Sequence, residues 1–336
     1  MGYRVPPPAP ADRVAWPEDF GQRFVVFVDT EEEFDWSRPI SASNRATTAV
    51  TAIPDAHRRF ADNGVPLTFL VDHPIATDPR AIDILRRVLE DGVAAIGTQL
   101  HSWVSPPFDE EVSPPTSFAG NLPRVLEAAK LAILTRTIID AFGAAPRVYR
   151  AGRYGIGPNS LALLAAQGYA IDSSMRSGYD YSAEGGPDFE KIGNHAFRCG
   201  PQKALIELPL TTVHTGRARR GGEALYRALG RIPKGRGLFA RTGLLARVAL
   251  TPEDMPLADA IEAIRIAAGE GLAVLNFSFH SPSLVPGNTP YVRDAGDLRE
   301  FQRWWETVIA ELGRLGVKAA SLDELLRALT PGPSIR

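Results

Sequence analysis

The hydrophobic positions of this 336-residue chain form short apolar runs that alternate with amphipathic segments. Apolar runs rich in Val, Leu, Ile and Phe are typical of strands buried on both faces of a parallel sheet. They predict strands at 23–29, 67–72, 93–101, 147–152, 205–210, 272–280 and 317–322, with a strand end near 169–174. Helices are predicted at 46–63, 79–91, 122–142, 158–167, 297–315 and 322–329. This alternation favours a parallel α/β architecture, either a barrel or a doubly wound sheet.

The domain organisation predicted from the sequence is simple. Residues 1–22 are Pro-rich and polar and read as an extended lead-in, followed by a single domain over 23–330. Within that domain, the segment 216–251 carries nine Lys and Arg side chains and several glycines. We interpret it as a mostly helical insertion on one side of the barrel. Its basic face could meet an anionic substrate or a membrane surface, or it could simply be solvated.

Composition narrows the class of protein. Hydrophobic residues make up 44% of the chain and charged residues 23%, which is typical of a globular protein. The formal net charge of -2 gives no basic signal for nucleic acid. The one cysteine, Cys199, excludes an intrachain disulfide. The chain shows no apolar leader and no run of 18 apolar residues, so a cytoplasmic protein without a transmembrane segment is predicted. A homo-oligomer is compatible with this composition.

Polar side chains stand at the ends of the predicted strands. They are Asp29, Asp72, His101, Arg150, Asp172 and His280. In a parallel barrel, function collects at the carboxyl ends of the strands, so this pattern predicts one shared site. A serine hydrolase of the nucleophile-elbow type and a nucleotide-phosphate site are not expected, because the chain contains neither a G-x-S-x-G motif nor a P-loop.

The acidic segment after the first strand is the first candidate for chemistry. Asp29 and Glu31 lie two residues apart, and two such carboxylates are both ionised cheaply only beside a cation or an Arg. A metal ligand next to a general base would use this spacing. A solvated acidic loop is the alternative.

Two histidines and an arginine pair complete the set. His101 could bind a metal through its imidazole, and His280 could act as a general acid at the mouth of a barrel. For each, a structural histidine is the alternative. Arg150 could hold a carboxylate base ionised, while the glycines around Arg153 would let a backbone N–H approach an oxyanion. A surface turn is the alternative for this pair.

Five segments, in this order, resemble the polysaccharide deacetylase (NodB-homology, carbohydrate esterase family 4-like) superfamily, with the WalW-type branch as the nearest in pattern. They are VDTEEEFDW (28–36), IGTQLHSWVSPPF (96–108), YRAGRYGIG (149–157), YAIDSSM (169–175) and FHSPSLVPGNTPYVRD (279–294). The resemblance spans roughly residues 23–330 and implies a distorted (β/α)7 barrel. It also implies a hydrolase that removes an acetyl group from an N- or O-acetylated sugar or polysaccharide precursor.

The resemblance also implies roles for single residues. Asp29 would be the catalytic base, steadied by Arg150, and His280 the general acid. Glu31 and His101 would hold a divalent metal, Zn²⁺ being the expected ion. The family's second metal-binding histidine is replaced here by Ser105, which is a poor ligand.

The remaining matched residues concern the substrate. The backbone of Tyr154 would help to form an oxyanion hole, and Arg153, Trp103 and Asp172 would lie near the substrate. Two alternatives stay open. One is a metal-independent amide hydrolase on the same barrel, as in the allantoinase-like branch. The other is a carbohydrate-binding protein without catalysis, which would bind the sugar and release no acetate.

Overall fold

The computed structural model of the protein describes residues 2–329, and the predicted domain end at residue 330 lies outside this range. The strands are β1 Arg23–Thr30, β2 Leu67–Val71, β3 Ala95–Leu100, β4 Val148–Ala151, β5 Ile171–Asp172, β6 Phe197–Cys199, β7 Leu205–Glu207, β8 Thr212–Thr215, β9 Ala246–Ala249, β10 Val274–His280 and β11 Lys318–Ala319. The helices are α1 Ile53–Ala61, α2 His73–Thr77, α3 Pro79–Leu89, α4 Arg124–Phe142, α5 Ser160–Ala166, α6 Gly222–Leu229, α7 Gly235–Arg241, α8 Leu257–Gly269, α9 Ala295–Arg314 and α10 Leu322–Leu329.

The main sheet is a curled barrel with helices around it. Its strands follow the order β10-β1-β2-β3-β4-β5-β7-β6. Neighbouring strands from β10 to β7 are parallel, β6 is antiparallel to β7, and β11 pairs with β1. The predicted parallel α/β barrel is therefore confirmed.

The gap between the two ends of this parallel series is closed by two short segments, which contain Thr211 and Leu250, rather than by a strand ladder. The Thr211 N–H donates to the Asn276 carbonyl at 3.3 Å, and the Asn276 N–H donates to Thr211 Oγ1 at 2.9 Å. Leu250 bridges Thr211 to β10 two residues further along the strand, since the Leu250 N–H donates to the Thr211 carbonyl and the Ser278 N–H donates to the Leu250 carbonyl. We call these contacts the seam.

The alternation of side chains along β1 explains how the barrel places chemistry at one end. Phe24 and Val26 face outward and pack under the helices, whereas Val25 and Phe27 face inward. Because the side-chain period of a strand is two, Asp29 continues the inward series at the carboxyl end. The interior is thus apolar at the bottom and charged at the top.

Several elements differ from the sequence-based expectations. Helix α8 was not predicted, although Ala260, Ala263, Ile264 and Ala267 are buried at helical spacing. The helix predicted at 46–63 is split. A 3₁₀ turn precedes α1, and Pro54 in the first turn of α1 has no N–H to continue a helix from the residues before it. The segment 216–251 contains α6 and α7 and ends in β9, which pairs with the unpredicted β8.

None of the helices within residues 2–329 combines the length and the apolar composition that are needed to span a lipid bilayer.

Two backbone segments approach so closely next to the barrel mouth that only glycine fits. The Gly120 N–H donates to the Gly155 carbonyl at 2.7 Å. A Cβ at Gly120 would lie 1.9 Å from the Gly157 nitrogen and 2.2 Å from the Ile156 carbonyl carbon. This contact fixes the loop that follows β4.

We expect Gly120→Ala to destabilise the fold by roughly 1–3 kcal/mol, because both partners are backbone and must shift. Urea unfolding measures the change in free energy. The matched control is Gly313→Ala in α9, where an added Cβ meets nothing within 4 Å. That change should stabilise the fold by about 0.5–1 kcal/mol through helix propensity. Equal stability of the two variants would contradict the close contact.

Candidate active site

A cavity of about 840 Å³ opens at the carboxyl ends of β1, β3, β4 and β10. Most of the predicted site residues line it. They are Asp29, Glu31, His101, Trp103, Arg150, Arg153, Tyr154 and His280. Two predicted residues, Ser105 and Asp172, are not among its lining residues. The sequence-based grouping at strand ends therefore brings together most, but not all, of these side chains.

Asp29 is held by a buried ion pair. Arg150 Nη1 donates to Asp29 Oδ1 at 2.6 Å, and the exposed fraction of each side chain is at most 2%. The Arg150 guanidinium is fixed on its other edge, since Nε donates to the Ser173 carbonyl at 2.9 Å. Burying either charge without a partner would be strongly disfavoured, so the two groups compensate each other in the barrel interior.

His280 is held by a second carboxylate, Glu253, which the sequence analysis did not identify. His280 Nδ1 lies 2.6 Å from Glu253 Oε2, and the His280 backbone N–H donates to Glu253 Oε1 at 3.0 Å. Ser283 Oγ also donates to Glu253 Oε1, at 2.6 Å. Burial lowers the pKa of His280, but the charges of Glu253 and Glu31 outweigh it and hold this pKa well above its usual value. The imidazole is thus kept protonated.

The two held groups face each other. Strand register places Asp29 opposite His280, and Asp29 Oδ2 lies 3.8 Å from His280 Nε2. This separation exceeds hydrogen-bond distance, so both atoms stay available to contact a substrate or a water. The site therefore presents a carboxyl oxygen of Asp29 beside the Nε2 of His280, and each side chain is held from behind by a charged partner.

His101 lies between consecutive carboxylates. Its Nδ1 is 2.7 Å from Glu32 Oε2, and its Nε2 is 3.4 Å from Glu31 Oε2 on the cavity side. Trp103 stacks on the imidazole with ring centres 4.2 Å apart and donates from Nε1 to Glu32 Oε1. Gly152 leaves room for the ring, because a Cβ there would lie 2.3 Å from His101 Cδ2.

The carboxylate, amide and imidazole atoms around His101 are of the kinds that bind a divalent metal ion. Ligand atoms of Glu32, Asp72 and His101 lie within 4.8 Å of one another and form a buried group that could hold one. Glu32 already accepts from Trp103 and contacts His101 Nδ1, which is the usual arrangement of a carboxylate behind a metal-binding histidine. On the cavity side, Glu31 Oε1 and Gln99 Oε1 are buried and have no hydrogen-bond partner within residues 2–329. Glu31, His101 Nε2 and Gln99 are therefore the ligand atoms that remain available on the cavity side.

Ser105 serves the loop rather than the cavity. Its carbonyl, with those of Ser102 and Pro107, accepts from the buried Lys130 ammonium at 2.6–3.0 Å. Lys130 also forms an ion pair with Glu110 at 2.8 Å. One lysine on α4 thus fixes the loop that carries His101 and Trp103.

Asp172 lies on the other face of the sheet. Ile171 points into the barrel, so the next side chain points outward. Asp172 Oδ1 accepts from Ser174 N–H and Oγ, and Asp172 is paired in register with the buried Glu207. Its role beside the substrate therefore has no support in this geometry.

The turn after β4 carries two residues in the left-handed region. Arg153 and Tyr154 have φ values of 54° and 60°. Neither is glycine, so the turn is strained and must be held by its surroundings. Arg153 Nη1 donates to Ser117 Oγ, and its guanidinium pairs with Glu184. Strain of this kind clusters at functional sites.

The main omission from the sequence analysis is Glu253. It lies in TPEDMP, directly after β9, where the adjacent acids Glu253 and Asp254 follow an apolar strand. That pattern resembles the Asp29–Glu31 segment and could have been recognised. Its pairing with His280, 27 residues later, is a tertiary contact with no signal in the spacing.

Comparison with protein-family models and with curated proteins finds no match to this sequence. Solved structures do match. A Mycobacterium smegmatis protein provisionally named a polysaccharide deacetylase has a TM-score of 0.53 and 18% identity, covering 98% of each chain. A Parabacteroides distasonis protein provisionally named a glycoside hydrolase/deacetylase has a TM-score of 0.54 and 12% identity, covering 89% of this chain and 68% of its own.

These comparisons establish the fold. The chain has the distorted (β/α)7 barrel of the polysaccharide deacetylase type, as the sequence predicted. The 4-α-glucanotransferase of Thermococcus litoralis also matches, with a TM-score of 0.52 and 10% identity, covering 93% of this chain and 41% of that one. One architecture therefore serves different reactions, and function must be argued from the site.

We expect Glu31→Gln and His101→Ala each to weaken zinc binding by at least about tenfold, because the first replaces a charged carboxylate with a neutral amide and the second removes the imidazole ligand. Metal content after dialysis and competition with a chelator measures this. Ser105→Ala is the control and should bind zinc like the wild type, because Ser105 does not line the cavity. If the wild-type protein binds no zinc, the metal-independent alternative gains support.

Proposed function

We propose that this protein belongs to the polysaccharide deacetylase superfamily and hydrolyses the acyl group of an N- or O-acylated sugar or polysaccharide precursor. The observation that carries the proposal is the facing pair of Asp29 and His280, 3.8 Å apart and each backed by its own charged partner. Acid–base chemistry needs two titratable groups whose surroundings favour opposite states. Membership in the WalW-type branch and placement in the cytoplasm stay predictions.

The roles follow from the charges. Asp29, ion-paired with Arg150 through Oδ1, accepts a proton from a water at Oδ2 as the water oxygen bonds to the acyl carbon. His280, kept protonated by Glu253, donates its Nε2 proton to the leaving nitrogen or oxygen as the bond from the acyl carbon breaks. The products are a carboxylic acid, acetate for an acetyl group, and the free amine or hydroxyl.

Glu31 and His101, with Gln99 as a third donor, would hold a divalent metal on the same side of the cavity. When bound, such an ion supplies Lewis-acid polarisation of the acyl oxygen or of a water. Glu32 orients His101 from behind, and Lys130 holds the loop in place.

The cavity wall supports a sugar as the substrate. It is rich in aromatic rings, which give flat apolar surfaces with polar edges. They are Phe34, Trp36, Trp103, Phe118, Tyr154, Tyr179, Tyr181 and Tyr291. Trp36 touches both His280 and Tyr291, with ring centres 5.4 Å and 5.5 Å away. A pyranose placed against this wall would present its acyl group to the acid–base pair.

We expect Asp29→Asn and His280→Ala each to lower kcat/KM for acetate release by about 10²- to 10⁴-fold, since each removes one proton-transfer group. Acetate released from acetylated chitooligosaccharide and acetylated xylan is the readout. His195→Ala, an exposed histidine outside the cavity, is the control. Full activity in both site variants would refute the assignment.

Glu253→Gln should move the basic limb of the pH–kcat/KM profile to lower pH. The change removes the negative charge beside Nδ1, which lowers the pKa of His280, so the protonated acid is lost at lower pH. The comparison variant is Glu270→Gln, which removes the same charge from an exposed site. A basic limb that does not move would show that Glu253 does not tune the acid.

A further inference from the structure

Four arginines line the cavity, and they differ in how their charge is balanced. Three form ion pairs: Arg38 with Asp35, Arg150 with Asp29, and Arg153 with Glu184. Within residues 2–329, Arg176 forms no ion pair. Asp254 lines the same cavity but forms no ion pair with Arg176. Arg176 is therefore the cavity cation whose charge the described chain leaves without a carboxylate partner.

The hydrogen-bonding capacity of Arg176 is also largely unused. A guanidinium offers five N–H donors in a planar fork. Within residues 2–329, its side-chain hydrogen bond runs from Nη1 to the Tyr181 hydroxyl at 3.5 Å, which is the outer limit of such a bond. Its buried Nε has no hydrogen-bond partner in the same range. By contrast, Arg150 donates to the Ser173 carbonyl and to Asp29, and Lys130 donates to backbone carbonyls and pairs with Glu110.

Aromatic rings, rather than acids, hold the Arg176 guanidinium in place. Its central carbon lies 4.0 Å from the ring centre of Tyr179 and 5.5 Å from that of Tyr154. Contacts of this kind orient a cation and leave its N–H groups free for another acceptor. The Tyr154 contact places Arg176 beside the strained turn at the barrel mouth.

A second cation adds to the positive charge here. Arg247 of β9 lies 3.5 Å from the Tyr179 ring centre and donates from Nη1 to the Gly178 carbonyl at 2.6 Å. It too forms no ion pair within residues 2–329, and its buried Nε has no partner there. Two cations on one ring repel each other, and an anion beside them would relieve that repulsion.

We propose that Arg176 binds an anionic group, a carboxylate or a phosphate, carried by the acylated sugar. The inference rests on the proposed function and narrows its substrate class to acidic or phosphorylated acyl sugars. Arginine suits this role because its planar fork matches both oxyanions in a bidentate geometry. The acyl group would lie between Asp29 and His280, and the anion would lie at the wall formed by Arg176 and Tyr179.

Calorimetric binding to the metal-free protein in EDTA tests this. Three probes are compared: N-acetylglucosamine 1-phosphate, N-acetylmuramic acid and uncharged N-acetylglucosamine. We expect the wild type to bind at least one anionic probe roughly ten- to a hundredfold more tightly than the neutral one. Arg176→Gln should abolish this difference, because it weakens binding of the anionic probes far more than binding of the neutral one. The control, Arg58→Gln, exchanges an exposed arginine outside the cavity and should keep it.

The two anionic probes separate a phosphate site from a carboxylate site. Arg176→Lys keeps the charge but loses the fork, and should retain only part of the difference. If Arg176→Gln does not fold, this variant and the weakening of wild-type anion binding by added salt carry the test. Equal binding of all three probes by the wild type, or a difference that survives in Arg176→Gln, overturns the inference.

Acetate release from the same probes and from neutral acetylated oligosaccharides is measured separately. Loss of the anion preference in Arg176→Gln without acetate release from any substrate would sink the proposed function and leave the anion site standing. Acetate release with no anion preference would do the reverse.

Discussion

The geometry of the candidate site depends on one buried ion pair, that of Arg150 with Asp29. A guanidinium with no exposed surface must be paired, because an isolated buried charge is strongly disfavoured. Arg150 meets this requirement across the barrel interior, joining β4 to the end of β1 and to the chain after β5. It therefore sets the position of Asp29 and, through the β1–β10 register, of His280 opposite it.

The charged side chains of the site lie directly above an apolar layer inside the barrel. Val25 and Phe27 fill the barrel below Asp29, and Val148 fills it below Arg150. This layer excludes water from one side, which strengthens every charge interaction above it. The same low polarity raises the pKa of the carboxyl of Glu31 to about 8, chiefly through burial. Charges at this end of the barrel are thus strongly coupled, and a change in one is felt by its neighbours.

The sequence predicted much of the fold and part of the site, for reasons that particular residues show. Asp29, Arg150 and His280 end strands long enough for their alternation to be read, and all three face the cavity. Asp172 ends a strand of two residues, which carries no readable phase, and it faces outward. Glu253 acts through a contact with His280, and such pairings depend on tertiary packing that spacing does not encode. Helix α8 had a readable period that was not assigned.

The seam has a mechanical meaning. The segment 216–251 leaves the barrel after β8 and returns through β9; Thr211 directly precedes β8, and Leu250 directly follows β9. Those two residues are joined to β10 by a few hydrogen bonds, whereas β1 pairs with β10 over seven consecutive residues. The barrel is therefore closed at one place by isolated hydrogen bonds, and this place lies on β10, the strand that carries His280. A displacement of the segment 216–251 would therefore reach His280 through only two connecting residues, Thr211 and Leu250.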